Sequence, residues 1–219
     1  MSGLTALRRL KPEHVAKIKA VLFLALLIPL ARLGWLALHH GLGANPIEYI
    51  TRSTGWWVLS LLLMTLLVTP LRRLSGLNWL LRLRRMLGLY AFFYACLHFG
   101  IYIWLDQFFD WQGILKDIAK RPFITVGFTA FVCLIPLAAT STNAMVRRLG
   151  AARWQKLHRL IYAIATLGVV HFWWLVKKDI TEPLIFAALL GMLLLARAVF
   201  SARKASASRQ PAAVRSQTV

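Results

Sequence analysis

The sequence predicts an all-α integral membrane protein, a bundle of six transmembrane helices with both termini in the cytoplasm. Three observations lead there. Hydrophobic residues make up 59% of 219 positions and mean hydropathy is +0.63, more apolar surface than a soluble domain of this size can hide. The apolar residues gather into runs of about the length that crosses a bilayer, separated by short polar stretches. Of the 27 Lys and Arg residues, 20 fall on one side of the six runs and 7 on the other.

In chain order, residues 1–19 form a basic, weakly apolar cytoplasmic tail, and 20–200 carry the six spans. Span one, Ala20 to Leu38, contains Pro29 and an arginine, Arg32, that can snorkel to the outer surface. Span two, Gly55 to Val68, is short and opens on Trp56 and Trp57, which suit an interface. The stretch LRRLSGLNWLLRLRR is too charged to cross and is expected to lie on the surface as an amphipathic connector. Span three, Met86 to Leu105, has no formal charge. A loop with Asp106, Asp110 and Asp117 leads to span four, Phe123 to Ala139, which contains Pro136. Span five is Leu160 to Val176, and span six runs from Leu184 to about Phe200. Residues 201–219, rich in Ser, Ala, Arg, Gln and Pro, are expected to be a disordered cytoplasmic tail with no core to join.

The charge distribution fixes the orientation. Five cations sit in each of four places: the N-terminal tail, the connector after span two, the connector after span four and the C-terminal end. Six of the seven carboxylates lie on the opposite side, only Glu13 being among the cations. The net charge of +20 is therefore a membrane signal, because a nucleic-acid reader gathers its arginines on a folded basic face rather than at span ends. Cys96 and Cys133 lie inside apolar runs without a CxxCH pattern, which excludes covalent c-type haem attachment.

Histidines inside hydrocarbon carry the functional signal, since an imidazole there costs free energy unless something binds it. His98 lies well inside span three, and span five has His158 at its inner rim and His171 thirteen residues further on. His98 lies thirteen residues past Arg85, so His98 and His171 share a level about 20 Å from the inner boundary. Two neutral imidazoles on neighbouring helices at one depth suit the axial positions of a haem iron. Ala95, Gly100 and Gly168 leave room nearby, and Phe92, Phe93, Phe99 and Phe172 suit the flanks of a flat macrocycle or, equally, a lipid-facing surface. An interhelical hydrogen bond is the other use for His98. His158, between Lys156 and Arg159, also fits as an interfacial residue without a ligand, and His14, His39 and His40 lie outside the spans. An ideal helix turns His171 about 140° away from His158, so a bend, a π-bulge or two separate sites is needed if both bind haem.

Four motifs give the chain a resemblance: RRMLGLYAFFYACLHFGIY in span three, KRPFITVGF before span four, LAATS after it, and LGAARWQKLHRLIY into span five. Over residues 15 to 200 they resemble the MsrQ (YedZ) family, haem-binding membrane subunits among the ferric-reductase-like transmembrane domains. The resemblance implies a multi-pass b-type cytochrome of the bacterial inner membrane, without a catalytic site of its own. It would carry electrons from quinol to a periplasmic molybdopterin subunit, MsrP, which repairs methionine sulfoxide in oxidised envelope proteins. The family histidines fall on His98, His158 and His171. FMN is implied as well, but no segment supplies a flavin motif. The chain departs from two-haem members of the wider superfamily, because Arg84 or Arg85 stands where a second span-three histidine would be. An inner haem at His158 would need Met86 or a non-protein ligand, or the protein holds a single haem. A free-standing transmembrane ferric or quinone reductase is the alternative, and a small transporter or structural protein the bland one. The absence of GxGxxG and of a soluble nucleotide-binding domain favours a subunit that hands its electrons on.

The charge asymmetry makes a direct prediction. Topology-reporter fusions near Lys177 should read outside, and those near Arg153 or after Arg203 cytoplasmic; an external Arg153 contradicts the orientation and the depth comparison built on it.

Overall fold

In the computed structural model, residues 10–176 and 178–209 are described; Met1 to Arg9 of the N-terminal tail, Lys177 and the last ten residues of the C-terminal tail lie outside them. The described residues are helical, without strands. The helices are α1 (Pro12–Ala25), α2 (Ile28–Leu38), α3 (Pro46–Ser75), α4 (Leu81–Ile101), α5 (Trp111–Lys120), α6 (Pro122–Ala139), α7 (Asn143–Leu149), α8 (Ala151–His158), α9 (Leu160–Leu175) and α10 (Thr181–Arg209).

Five helical units are long and apolar enough to cross a membrane: Pro12–Leu38, Pro46–Ser75, Asn78–Asp106, Pro122–Ala139 and Thr181–Arg203. The first is α1 and α2 together. Pro29 has no N–H and its ring crowds the Ala25 carbonyl, so the helix ends at Ala25 and restarts at Ile28. α9 is apolar but only 16 residues long, about 24 Å, and falls short of the hydrocarbon thickness. α8 leads into it through a junction at Arg159, whose N–H bonds the Lys156 carbonyl, three residues back, at 3.2 Å.

Three boundaries differ from those expected. The stretch after span two is not a separate surface helix: its first half extends α3 to Ser75, Gly76 at φ 75° caps it, and a 3₁₀ turn, Asn78–Leu80, opens α4. Pro70, inside α3, leaves the Leu66 carbonyl without its helical donor. Arg197 of α10 supplies one, its Nη2 donating to Leu66 O at 2.6 Å while Nη1 donates to the Tyr162 hydroxyl at 2.8 Å. At the N-terminal end the helix begins at Pro12, inside the expected tail of residues 1–19, because proline suits the first helical turn. At the other end α10 runs into the expected tail of 201–219 as far as Arg209, since no proline intervenes before Pro211 and extending a formed helix is cheap.

Packing divides into two halves joined at the centre. α3 lies chiefly on α4, and α6 on α9, with α9 also touching α3 and α10. Leu61, Leu66, Tyr94, Ile164 and Ala165 form the buried middle. α1 and α2 join through two tyrosines of α4, Tyr90 donating to Phe23 O at 2.8 Å and Tyr94 to Leu26 O at 2.7 Å. Beyond Ile101 the chain widens into a π-helical turn, Tyr102–Asp106, then Phe108 and Phe109 take positive φ of 47° and 61° before α5, which Asp110 caps by accepting from Gly113 N–H. The outer connector is thus partly helical rather than a plain loop.

Candidate functional site

α4 and α9 bring His98 and His171 together, with ring centroids 6.2 Å apart and ring planes at 84°. Each ring leans on a third and a fourth helix. The Nδ1–H of His98 donates to the Thr51 carbonyl of α3 at 3.0 Å, and the Nδ1–H of His171 to the Phe123 carbonyl of α6 at 2.7 Å. The Thr54 hydroxyl lies 3.3 Å from His98 Nδ1 and donates to the Ile50 carbonyl, so it too leaves the hydrogen on the imidazole. Both rings accordingly present Nε2 as the free lone pair, the tautomer a metal requires.

The two supports have the same construction. A helical side chain leans toward the N-terminus and covers the carbonyl about four residues earlier. The residue four after Thr51 is Gly55, and the residue four after Phe123 is Gly127. Neither has a Cβ, so both carbonyls are bare. A Cβ at Gly55 would stand 3.0 Å from His98 Cε1, and one at Gly127 would stand 2.7 Å from His171 Nδ1. Each glycine is therefore occupied by an imidazole face.

The spacing of the pair would let both imidazoles bind one ion: metal–imidazole bonds of about 2 Å, with about 1 Å more from nitrogen to ring centre, allow centroids about 6 Å apart. Among the described residues no group of three or more His, Cys, Asp or Glu converges, so the donor set is this pair and not a tetrahedral cage. A porphyrin supplies the other four donors itself, which makes haem the group that two protein nitrogens fit.

The surrounding residues sort differently from the sequence expectation. Phe99 meets Phe131 at 4.9 Å and Phe128 at 5.7 Å, Phe92 stacks on Phe131, and Phe172 meets Phe186. Phe93 turns away to Tyr90 and Tyr94 and is 37% exposed. Phe123, 6.3 Å from the His171 ring, is the aromatic that sequence reasoning did not single out. Gly100 meets nothing within 4 Å and serves no close approach, whereas Gly168 admits Leu59 of α3. Gly55 and Gly127 were missed; the available signal was a glycine inside an apolar span, which a lipid-facing helix does not need.

His158 lies apart from this pair, at the end of α8. Its ring stacks on Trp154 at 3.8 Å, its Nδ1 bonds the Trp154 carbonyl at 3.1 Å, and Trp154 Nε1 donates to the Thr140 carbonyl at 2.9 Å. The LAATS and WQKLH stretches are therefore one local structure. His158 Nε2 is buried without a hydrogen-bond partner, an orphan that a metal would satisfy. His14 sits 3.8 Å from Glu13 and His39 stacks on Trp35, both exposed and structural.

Residues 54–169 match the ferric reductase like transmembrane component. Proteins named protein-methionine-sulfoxide reductase heme-binding subunit MsrQ are similar over most of their length. That of Herminiimonas arsenicoxydans is 59% identical over 197 residues, covering 89% of this chain and 90% of the relative. The Ralstonia nicotianae protein is 56% identical, covering 84% and 86%, and that of Rhodospirillum rubrum 53%, covering 88% and 93%.

The glycine supports predict a graded response. Gly127→Ala, whose methyl meets the His171 ring, should lose most haem absorbance in the purified protein, and Gly55→Ala a smaller share. Gly100→Ala should match the wild type. Equal spectra for all three variants would contradict the role given to the bare carbonyls.

Proposed function

Because this chain belongs to the MsrQ family of ferric-reductase-like transmembrane proteins, we propose that it is the haem-binding, electron-carrying subunit of a protein-methionine-sulfoxide reductase. In this reading α9, lengthened by α8, is span five and completes the set of six, both termini face the cytoplasm, and the protein sits in the bacterial inner membrane. Electrons enter from the quinol pool and leave on the periplasmic side to MsrP, with which the chain forms a heterodimer and which carries the catalytic chemistry. The supporting observation is the His98–His171 pair, 6.2 Å between centroids with each Nδ1 bonded to a helix carbonyl.

The chain's own residues have three tasks. Thr51 and Phe123 hold the imidazoles in the Nε2-free tautomer, Gly55 and Gly127 allow the rings to lie against α3 and α6, and the leucine-rich middle excludes water. A b-type haem held by the pair supplies one-electron exchange between ferric and ferrous iron. Rigid ligands at fixed separation keep the change in geometry between those two states small, which favours rapid transfer. His158 serves the inner end, as ligand of a second haem or as a residue of the quinol site; its unpartnered Nε2 supports either use. On the outer side, the α5 region offers exposed Trp104, Phe108, Phe109 and Trp111 among Asp106, Asp110 and the Asp117–Arg121 pair at 3.1 Å, a mixed apolar and charged surface for a soluble partner.

The histidines are distinguishable by substitution. His98→Ala and His171→Ala should each lose most low-spin b-type absorbance and all electron delivery to MsrP. His158→Ala should keep part of the spectrum yet slow reduction by quinol. Loss of all haem in His158→Ala, with a normal bis-histidine spectrum in His98→Ala, would reverse the assignment. Sulfoxide or ferric reduction by the chain without MsrP, at the rate seen with it, would favour the free-standing reductase.

A further inference from the structure

A groove enclosing about 500 Å³ opens between α1 and α4, at the end of the bundle where the cations gather. Lys19 and Phe23 line it from α1, and Arg82, Arg85, Met86 and Leu89 from α4. The Tyr90–Phe23 and Tyr94–Leu26 hydrogen bonds run these two helices side by side in the same direction. Lys19 is four residues before Phe23 and Arg85 five before Tyr90, so both cations lie about 6 to 8 Å below the same tie. Arg82 lies nearly one further turn below. Three positive charges thus ring the mouth of a groove whose walls are apolar.

Nothing among the described residues neutralises them. Among the described residues, Lys19, Arg82 and Arg85 have no carboxylate within ion-pair distance; the Glu13 side chain is taken by Lys11 and His14, and every other carboxylate of the sequence is on the opposite side. Arg85 donates to the neutral Asn143 amide oxygen at 2.7 Å, which positions the guanidinium without cancelling its charge. The counter-charge has to come from outside the chain. Phe23, 50% exposed, and Leu89, 40% exposed, extend the groove toward the membrane centre, where a small hydrophilic anion would leave them uncovered. An occupant matching both ends has a phosphate head and a hydrocarbon tail. The loose packing of α1 fits a seam filled by such a molecule, since only 11% of the first span's apolar window is buried by protein.

We infer that the α1–α4 groove is a binding site for an anionic glycerophospholipid, its phosphate held by Lys19, Arg82 and Arg85 and its upper acyl chain by Phe23, Met86 and Leu89. The lipid joins α1 to the bundle below the tyrosine ties. The assignment does not depend on haem, on the electron donor or on the partner; the orientation set by the basic residues only names the leaflet.

The test uses the full-length protein, stripped of lipid in neutral detergent and titrated with dioleoylphosphatidylglycerol, bound lipid being counted by native mass spectrometry. Phosphatidylcholine and FMN are titrated in parallel. At about 1 kcal/mol per cation near a lipid phosphate, K19Q/R82Q/R85Q should bind phosphatidylglycerol on the order of a hundredfold more weakly, and Lys19→Gln alone about fivefold. R147Q/R148Q/R153Q removes equal charge from the same side away from the groove and should bind nearly as the wild type. Circular dichroism and elution volume check the fold; should the triple variant misfold, Lys19→Gln decides alone. Equal weakening in the two triple variants means diffuse surface attraction and overturns the site. So would phosphatidylcholine binding as tightly as phosphatidylglycerol, or FMN displacing the lipid.

Discussion

Everything at the centre of this bundle depends on one constraint: an imidazole placed in hydrocarbon must have both nitrogens satisfied. A helix cannot easily help a neighbour's histidine, because its carbonyls are spent on its own ladder and shielded by side chains. A glycine four residues on removes the shield, and the carbonyl's second lone pair becomes available. α3 does this with Thr51 and Gly55, and α6 with Phe123 and Gly127. Four helices, carrying only two of the histidines between them, are thereby locked in register. That locking holds α3 against α4 and α6 against α9.

The same reasoning shows how much was legible in the sequence. The shared depth of His98 and His171 was readable because a helix rises by a constant amount per residue, and two runs starting at one surface can be compared without knowing the fold. The glycines were not, because their meaning appears only once α3 is known to face α4 and α6 to face α9. Pro70 is likewise unreadable from the sequence alone. In isolation it ends a helix; in the bundle Arg197, far along the chain, donates to the carbonyl it frees, and α3 continues. Phenylalanine direction was equally closed to sequence, so Phe93 was grouped with Phe92 and Phe99 although it faces the other way.

The inner end follows different physics. There the chain concentrates cations at the span ends and leaves polar groups without internal partners, among them the Nε2 of His158 and the Nε atoms of Arg72 and Arg197. The outer end instead offers a turn held at positive φ by Phe108 and Phe109 and a short amphipathic helix, features suited to meeting a protein.

The central claim is that His98 and His171 hold one iron from opposite sides, and electron paramagnetic resonance of the oxidised purified protein tests it most directly. If the two rings were to hold an iron with their planes still at 84°, two iron d-orbitals would be nearly degenerate. The account therefore predicts a highly anisotropic low-spin ferric signal with a large maximal g-value, lost in both His98→Ala and His171→Ala. A high-spin signal in the wild type, or a low-spin signal surviving unchanged in either variant, would contradict it.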